Sequence, residues 1–136
     1  MLSVGKWHAA HCARYSGDIR AGAVPHLRRA IAVLGEDGDR VALGGLWAEL
    51  SESLWMAGLG DEASAASDRS VEVLGNSTSR ERAEALGWRS RLSMLLGRYL
   101  DAIPPGTEAV GLARTINASR ELSRALNALG TSLAMV

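Results

Sequence analysis

The residues best suited to chemistry lie near the start of the chain. His8, His11 and Cys12 fall at i, i+3 and i+4, which puts three metal-ligand types on one helical turn, with His26 further along. A zinc site usually takes four ligands, and there is no second cysteine. The cluster therefore reads as the part-buried polar edge of a helix, with a metal or enzymatic centre as the alternative. A Cys–His pair also serves nucleophilic mechanisms, but no orienting acid or oxyanion device accompanies this one. Glu36, Asp37, Gly38 and Asp39 lack the spaced acids and closing Glu of a calcium loop. Gly58, Leu59 and Gly60 lack the preceding strand and third glycine of a nucleotide loop. Gly-x-Ser-x-Gly, His-Glu-x-x-His and phosphate-loop patterns do not occur. The expectation is a protein without catalytic residues, cofactor or metal.

What the elements do carry is repetition. Trp7 and Trp47 are 40 positions apart, and each opens a similar run: Trp47-x-x-Leu50-Ser51-x-x-Leu54, and the looser Trp7-x-x-Ala10-His11-x-x-Arg14. The same offset pairs Ala23 with Ala63 and Ala30 with Ser70. A further 39 positions pair Gly58, Ala63, Ser70 and Val71 with Gly97, Ala102, Ala109 and Val110. A period near 40 in a helix-patterned chain marks a helical solenoid. Repeats are expected over about 1–36, 37–76 and 77–117, with a partial repeat over 118–136.

Composition is compatible with one domain of ordinary soluble character. The 136 residues are 47% hydrophobic and 22% charged, with no Phe and four Trp. Fifteen Lys and Arg balance fifteen Asp and Glu, and that neutrality argues against a direct grip on nucleic acid. The single Cys suits a reducing compartment, no apolar run reaches the length of a membrane helix, and the N-terminal stretch lacks the apolar region of a signal peptide. A cytoplasmic location is expected. The sequons at Asn76 and Asn117 carry no meaning there.

The periodicity predicts about seven helices, over 2–16, about 19–34, 40–57, 62–74, 79–96, 100–115 and 120–136. Asp37 or Asp39 is expected to cap the third, Asp61 the fourth, and Thr78-x-x-Glu81 to form a capping box for the fifth. Gly75-Asn76 ends the fourth. Pro25 and Pro104-Pro105 imply that their helices begin late, bend or fray. Leu126-x-x-Leu129-Gly130-x-x-Leu133 restates the repeat opening without its second helix, so the seventh helix is expected to leave apolar surface open. The chain is accordingly expected to be a fragment of a longer protein.

These openings, the run Leu96-Gly97-Arg98-Tyr99-Leu100-Asp101-Ala102-Ile103 followed by Ala109, and the stretch 124–130 resemble the tetratricopeptide repeat. With a period of 39 to 40, the repeats are similar to those of large bacterial transcriptional regulators of the maltose-activator (LuxR-like) type. The chain departs from the pattern at His11, Ser51 and Ser90, which stand where a small Gly is usual. It departs also at Arg14 and Ser93 in an apolar position, and at Arg89 in the place of an inward Leu. The resemblance implies an all-α fold of antiparallel helix pairs stacked as a right-handed superhelix. It implies a binding scaffold, the sensor or interaction segment of a regulator, that takes a protein, peptide or small-molecule effector in a concave groove. A self-association module, homo-oligomeric through the exposed last helix, is the alternative.

In such repeats the first helix of each pair lines the groove. Helical spacing then aligns His8, Cys12 and Tyr15 with Ala48, Glu52 and Trp55, with Gly87, Arg91 and Met94, and with Asn127, Thr131 and Ala134. The candidate groove residues are Tyr15, Glu52, Trp55, Arg91, Met94, Asn127 and Thr131. Glu52 and Arg91 are expected to approach each other. A Met and aromatic row beside an Arg suits a peptide or amphipathic ligand, although such rows also pack between helices. Trp7 and Trp47 are expected in the core, and Trp88 in core or groove.

Overall fold

The computed structural model describes residues 23–136. Among them the chain forms six α-helices and no strand: α1 (Val24–Leu34), α2 (Arg40–Met56), α3 (Gly60–Leu74), α4 (Arg80–Leu95), α5 (Tyr99–Thr115) and α6 (Ser119–Met135). The helix expected over 2–16, with Trp7, lies outside the described residues. The all-α reading holds. The chain divides into two compact units, Met1–Val73 and Leu74–Val136.

In the first unit, α2 and α3 run antiparallel and are tied by two reciprocal bonds. The Ser51 hydroxyl, late in α2, donates to the Ala63 carbonyl early in α3 at 2.6 Å, and the Ser70 hydroxyl, late in α3, donates to the Gly44 carbonyl at 2.7 Å. Both bonds are buried, and burial away from water makes such a bond costly to leave unmade. Around them Leu43, Leu46, Leu50 and Leu54 pack with Ala63, Ala66 and Val73, while Leu27 and Ala30 are the buried residues of α1. Pro25 stands in the first turn of α1, where its missing N–H is tolerated. Asp39 caps α2, accepting from the amides of Val41 and Ala42 at 2.9 and 3.3 Å. Asp61 lies inside α3, in its first turn, rather than capping it. There it complements the positive end of the helix dipole. At the other end of α3 the Arg40 guanidinium donates to the Val73 carbonyl at 3.2 Å. Trp47 is half-buried.

The second unit repeats the device. The Ser90 hydroxyl of α4 donates to the Ala102 carbonyl of α5 at 2.8 Å, the same bond 39 positions on. The cap of α4 is Ser79, which accepts from the Arg82 amide at 3.1 Å and from the Ser77 hydroxyl at 2.6 Å. The expected Thr78 capping box is not formed: Ser79 is the cap, and its N3 position is Arg82 rather than a Glu. Helix α5 is continuous through Pro104 and Pro105. Their rings deprive the carbonyls of Leu100 and Asp101 of amide partners, but both residues are exposed, so water can take that role. The helix therefore neither starts late nor frays.

Helix ends are also repeated. After α2, Ala57, Gly58 and Leu59 donate to the carbonyls of Ser53, Trp55 and Leu54; after α4, Leu96, Gly97 and Arg98 donate to Leu92, Met94 and Ser93. Gly58 and Gly97 take φ of 81° and 76°, a conformation that disfavours a Cβ. Asn117 supplies the same turn after α5 at φ 56°.

Helix α6 leaves apolar surface open, as its run of leucines predicts. Ala125, Ala128 and Ser132 face inward, while Leu126 and Leu133 are 43% and 52% exposed. Close packing selects the small residues: a Cβ built at Gly87 of α4 would lie 3.9 Å from the Ala125 methyl and 4.0 Å from that of Ala109. At Gly106 of α5, a Cβ would fall 2.7 Å from the Ser90 hydroxyl and 3.3 Å from Leu129 Cβ.

Gly106→Ala is therefore expected to cost on the order of 1–3 kcal/mol, and Ser90→Ala about 1 kcal/mol. The double variant should cost less than the sum, because losing the hydroxyl vacates the space the new methyl enters. Urea denaturation of the four proteins measures this, and strictly additive costs would contradict the tie between α4 and α5.

Candidate functional site

The candidate residues fall on equivalent positions of α2 and α4. Glu52 follows the tying Ser51, and Arg91 follows the tying Ser90; Trp55 and Met94 come one helical turn after each tie. Glu52, Trp55 and Met94 are half-buried, and Arg91 is exposed. In each unit the inward face of the first helix is thus flanked by a stripe open to solvent at its edge. Glu52 belongs to the first unit and Arg91 to the second. On α6, Asn127 and Thr131 are exposed. Tyr15, Cys12, His8 and His11 lie outside the described residues.

Two assignments need correction. Gly87, aligned by spacing with the groove, packs instead toward Ala109 and Ala125. It sits one turn before Ser90, where a Cβ would reach ordinary van der Waals contact with both methyls. Ser51 and Ser90, which look like defects in the repeat pattern, are the bonds that hold each pair. Their types were the clue: a Ser repeated at a buried position needs an acceptor. The register around Trp88 is settled by the burial of Ala83, Ala85, Leu86, Ser90 and Leu92, which leaves Trp88 and Arg89 half-buried.

The polar surface is laced with ion pairs within each unit. Arg28 meets Glu62 at 3.2 Å and Arg69 meets Glu36 at 2.7 Å in the first; Arg82 meets Glu108 at 3.4 Å in the second. Glu121 is nearly buried, with the Arg80 guanidinium 3.9 Å away. An open cavity of about 390 Å³ lies at the start of α5, lined by Gly97, Arg98, Tyr99, Leu100, Asp101 and Val136. Among the described residues no group of three His, Cys, Asp or Glu is placed to hold a metal, and no helix is long and apolar enough to cross a membrane.

No family model matches the sequence, and no curated protein matches it. Among solved structures the chain is similar to the crystal structure of BtubC (BKLC) from P. vanneervenii, with a TM-score of 0.79 and 17% identity. The match covers 93% of this chain and 52% of that one, so the chain spans about half the length of that protein. At this identity the likeness is one of fold, and it agrees with an all-helical, repeat-like architecture.

Neighbouring residues of α4 should separate display from support. Arg91→Ala, at an exposed position, is expected to change stability by no more than about 0.5 kcal/mol. Leu92→Ala, at a buried one, should cost roughly 2–5 kcal/mol. Thermal and denaturant unfolding report both, and a large loss at Arg91 would move it from the displayed stripe into the framework.

Proposed function

We infer that the chain is a binding scaffold of tetratricopeptide type, without reaction chemistry of its own. It serves as the sensor or interaction segment of a cytoplasmic bacterial transcriptional regulator. The observation that carries this reading is the recurrence, 39 positions apart, of one hydroxyl-to-carbonyl tie with the same two displayed positions beside it: Glu52 and Trp55, then Arg91 and Met94. A repeat that conserves its framework while varying what it displays suits recognition. Trp55 and Met94 offer adaptable apolar contact, and Glu52 and Arg91 offer polar contacts that fix a ligand's register. An extended or amphipathic peptide fits the chemistry of each stripe, with Asn127 and Thr131 as further exposed polar positions in the second unit. Binding would then bias how the repeats pack, and so the state of attached domains.

The test begins with a displayed peptide library selected against the whole chain. Peptides that bind are re-measured by calorimetry against Trp55→Ala and Arg91→Glu. Each variant is expected to weaken binding at least tenfold, about 1.4 kcal/mol, with an unchanged circular dichroism spectrum. Full affinity in both folded variants would remove this stripe as the recognition surface.

A further inference from the structure

Basic and acidic side chains cancel over the whole chain, but they are not mixed along it. Residues 23–73 carry four Arg and nine Asp or Glu, whereas residues 74–136 carry eight Arg and five Asp or Glu. The described part of the first unit is therefore acidic, and the second unit is basic. Internal pairing leaves part of that basic excess open. In the second unit Arg82 meets Glu108, and Arg80 stands 3.9 Å from Glu121. Among the described residues no carboxylate pairs with Arg91, Arg120 or Arg124, and all three are exposed.

Helix packing gathers these three on one surface. Helices α4 and α6 pack on each other and run parallel: Arg80 and Glu121, each in the first turn of its helix, come together, and further along Gly87 faces Ala125. On α6 the residues Glu121, Ala125, Ala128 and Ser132 turn inward. Leu122 and Leu129 lie to one side of them, toward Ala113 and Gly106 of α5. The other flank, Arg120, Arg124, Asn127 and Thr131, spaced four, three and four apart, therefore borders α4. On α4, Arg91 follows Gly87 by one turn and so stands at the level of Thr131. Glu84, the exposed acid on this side of α4, is already engaged within the fold. From Arg120 to Thr131 the flank is about 16 Å long, the reach of about five extended residues.

We propose that this surface takes an acidic peptide segment, with carboxylates on Arg91, Arg120 and Arg124 and the intervening backbone on Asn127 and Thr131. The proposal rests on the reading of the chain as a peptide-binding scaffold and fixes the sign of what the second unit binds. Charge selects the occupant. A guanidinium without an internal acid pairs bidentately with a carboxylate, and Asn and Thr side chains bond peptide amides and carbonyls. Three open guanidiniums in a unit that keeps five acids fall short of the continuous basic face that holds a nucleic-acid backbone. In the first unit the position equivalent to Arg91 is Glu52, so the preference belongs to the second unit alone.

The displayed library is selected in parallel against the whole chain and against its Arg120→Glu/Arg124→Glu variant. Both changes are at exposed positions, and a Glu in the first turn of a helix suits its dipole; circular dichroism checks the fold. The pool from the unmodified chain should be enriched in Asp and Glu over the input, and the pool from the variant should not. A peptide from the first pool is then titrated beside its amide counterpart, with Asn for Asp and Gln for Glu. Loss of the carboxylates should weaken binding about tenfold, the double reversal should do the same, and added salt should narrow both gaps. Oligouridylate should not displace the peptide at equal concentration. A neutral or basic pool, an amide counterpart of equal affinity, or full affinity in the folded variant would overturn the acidic preference and leave peptide recognition standing. Displacement by oligouridylate would overturn it in favour of nucleic acid. A selection that yields no binding peptide would remove the scaffold reading itself, and this proposal with it.

Discussion

The constraint on which the structure depends is the closeness of paired helices. At 2.6 and 2.8 Å, the hydroxyls of Ser51 and Ser90 bond directly to the backbone of the facing helix at Ala63 and Ala102. That distance admits nothing larger than a hydroxyl on one side and little more than a methyl on the other. It explains why Ala63, Ala102 and Ala109 are buried to the last per cent, and why Gly106 has no Cβ. Apolar burial alone would hold the helices together while letting them slide. A buried hydroxyl bonded to one carbonyl of the facing helix favours one axial register, since sliding the helices breaks that bond.

The same bond decides what each unit displays. Once Ser51 and Ser90 are turned to the partner helix, the 100° step of the helix rotates Glu52 and Arg91 away from it, and Trp55 and Met94 return to the edge one turn on. The turns at Gly58 and Gly97 end each first helix at the same distance from its tie, with equivalent hydrogen bonds. Framework and display are thus set by few positions, which leaves the displayed residues free to differ in size and charge between units.

Much of this was legible in the sequence, because periodicity, caps and turns are local properties. The helix ends at Leu74 and Thr115 match the spacing, the end near Leu34 is close to it, and of the two cap candidates Asp37 and Asp39 the structure selects Asp39. What was not legible depended on tertiary partners. The serines looked like faults because the acceptor of each lies 12 residues away on another helix. Pro104 and Pro105 looked like breakers because only the fold exposes the carbonyls they leave without amides. The apolar surface expected to stay open on the last helix is that of Leu126 and Leu133, while Ala125 and Ser132 take the inward face, which the repeat pattern did not specify. The candidate groove was read from spacing alone; Glu52, Trp55, Met94 and Gly87 are half-buried and Arg91 is exposed, and a groove is a property of how neighbouring helices stand, which spacing along one chain does not carry.

Helix α6 shows what happens when the tie is absent. With Leu129 where Ser51 and Ser90 stand, a covering helix cannot come within hydrogen-bonding distance of the backbone. It must pack at the 8–10 Å of interdigitating side chains. The leucines at Leu122, Leu126, Leu129 and Leu133 are spaced for that mode and not for the one used between α2 and α3 or α4 and α5. A further tied pair of the same kind would need small residues at these positions. Four leucines at these positions therefore leave this face without the small residues and the hydroxyl on which the tied pairs depend.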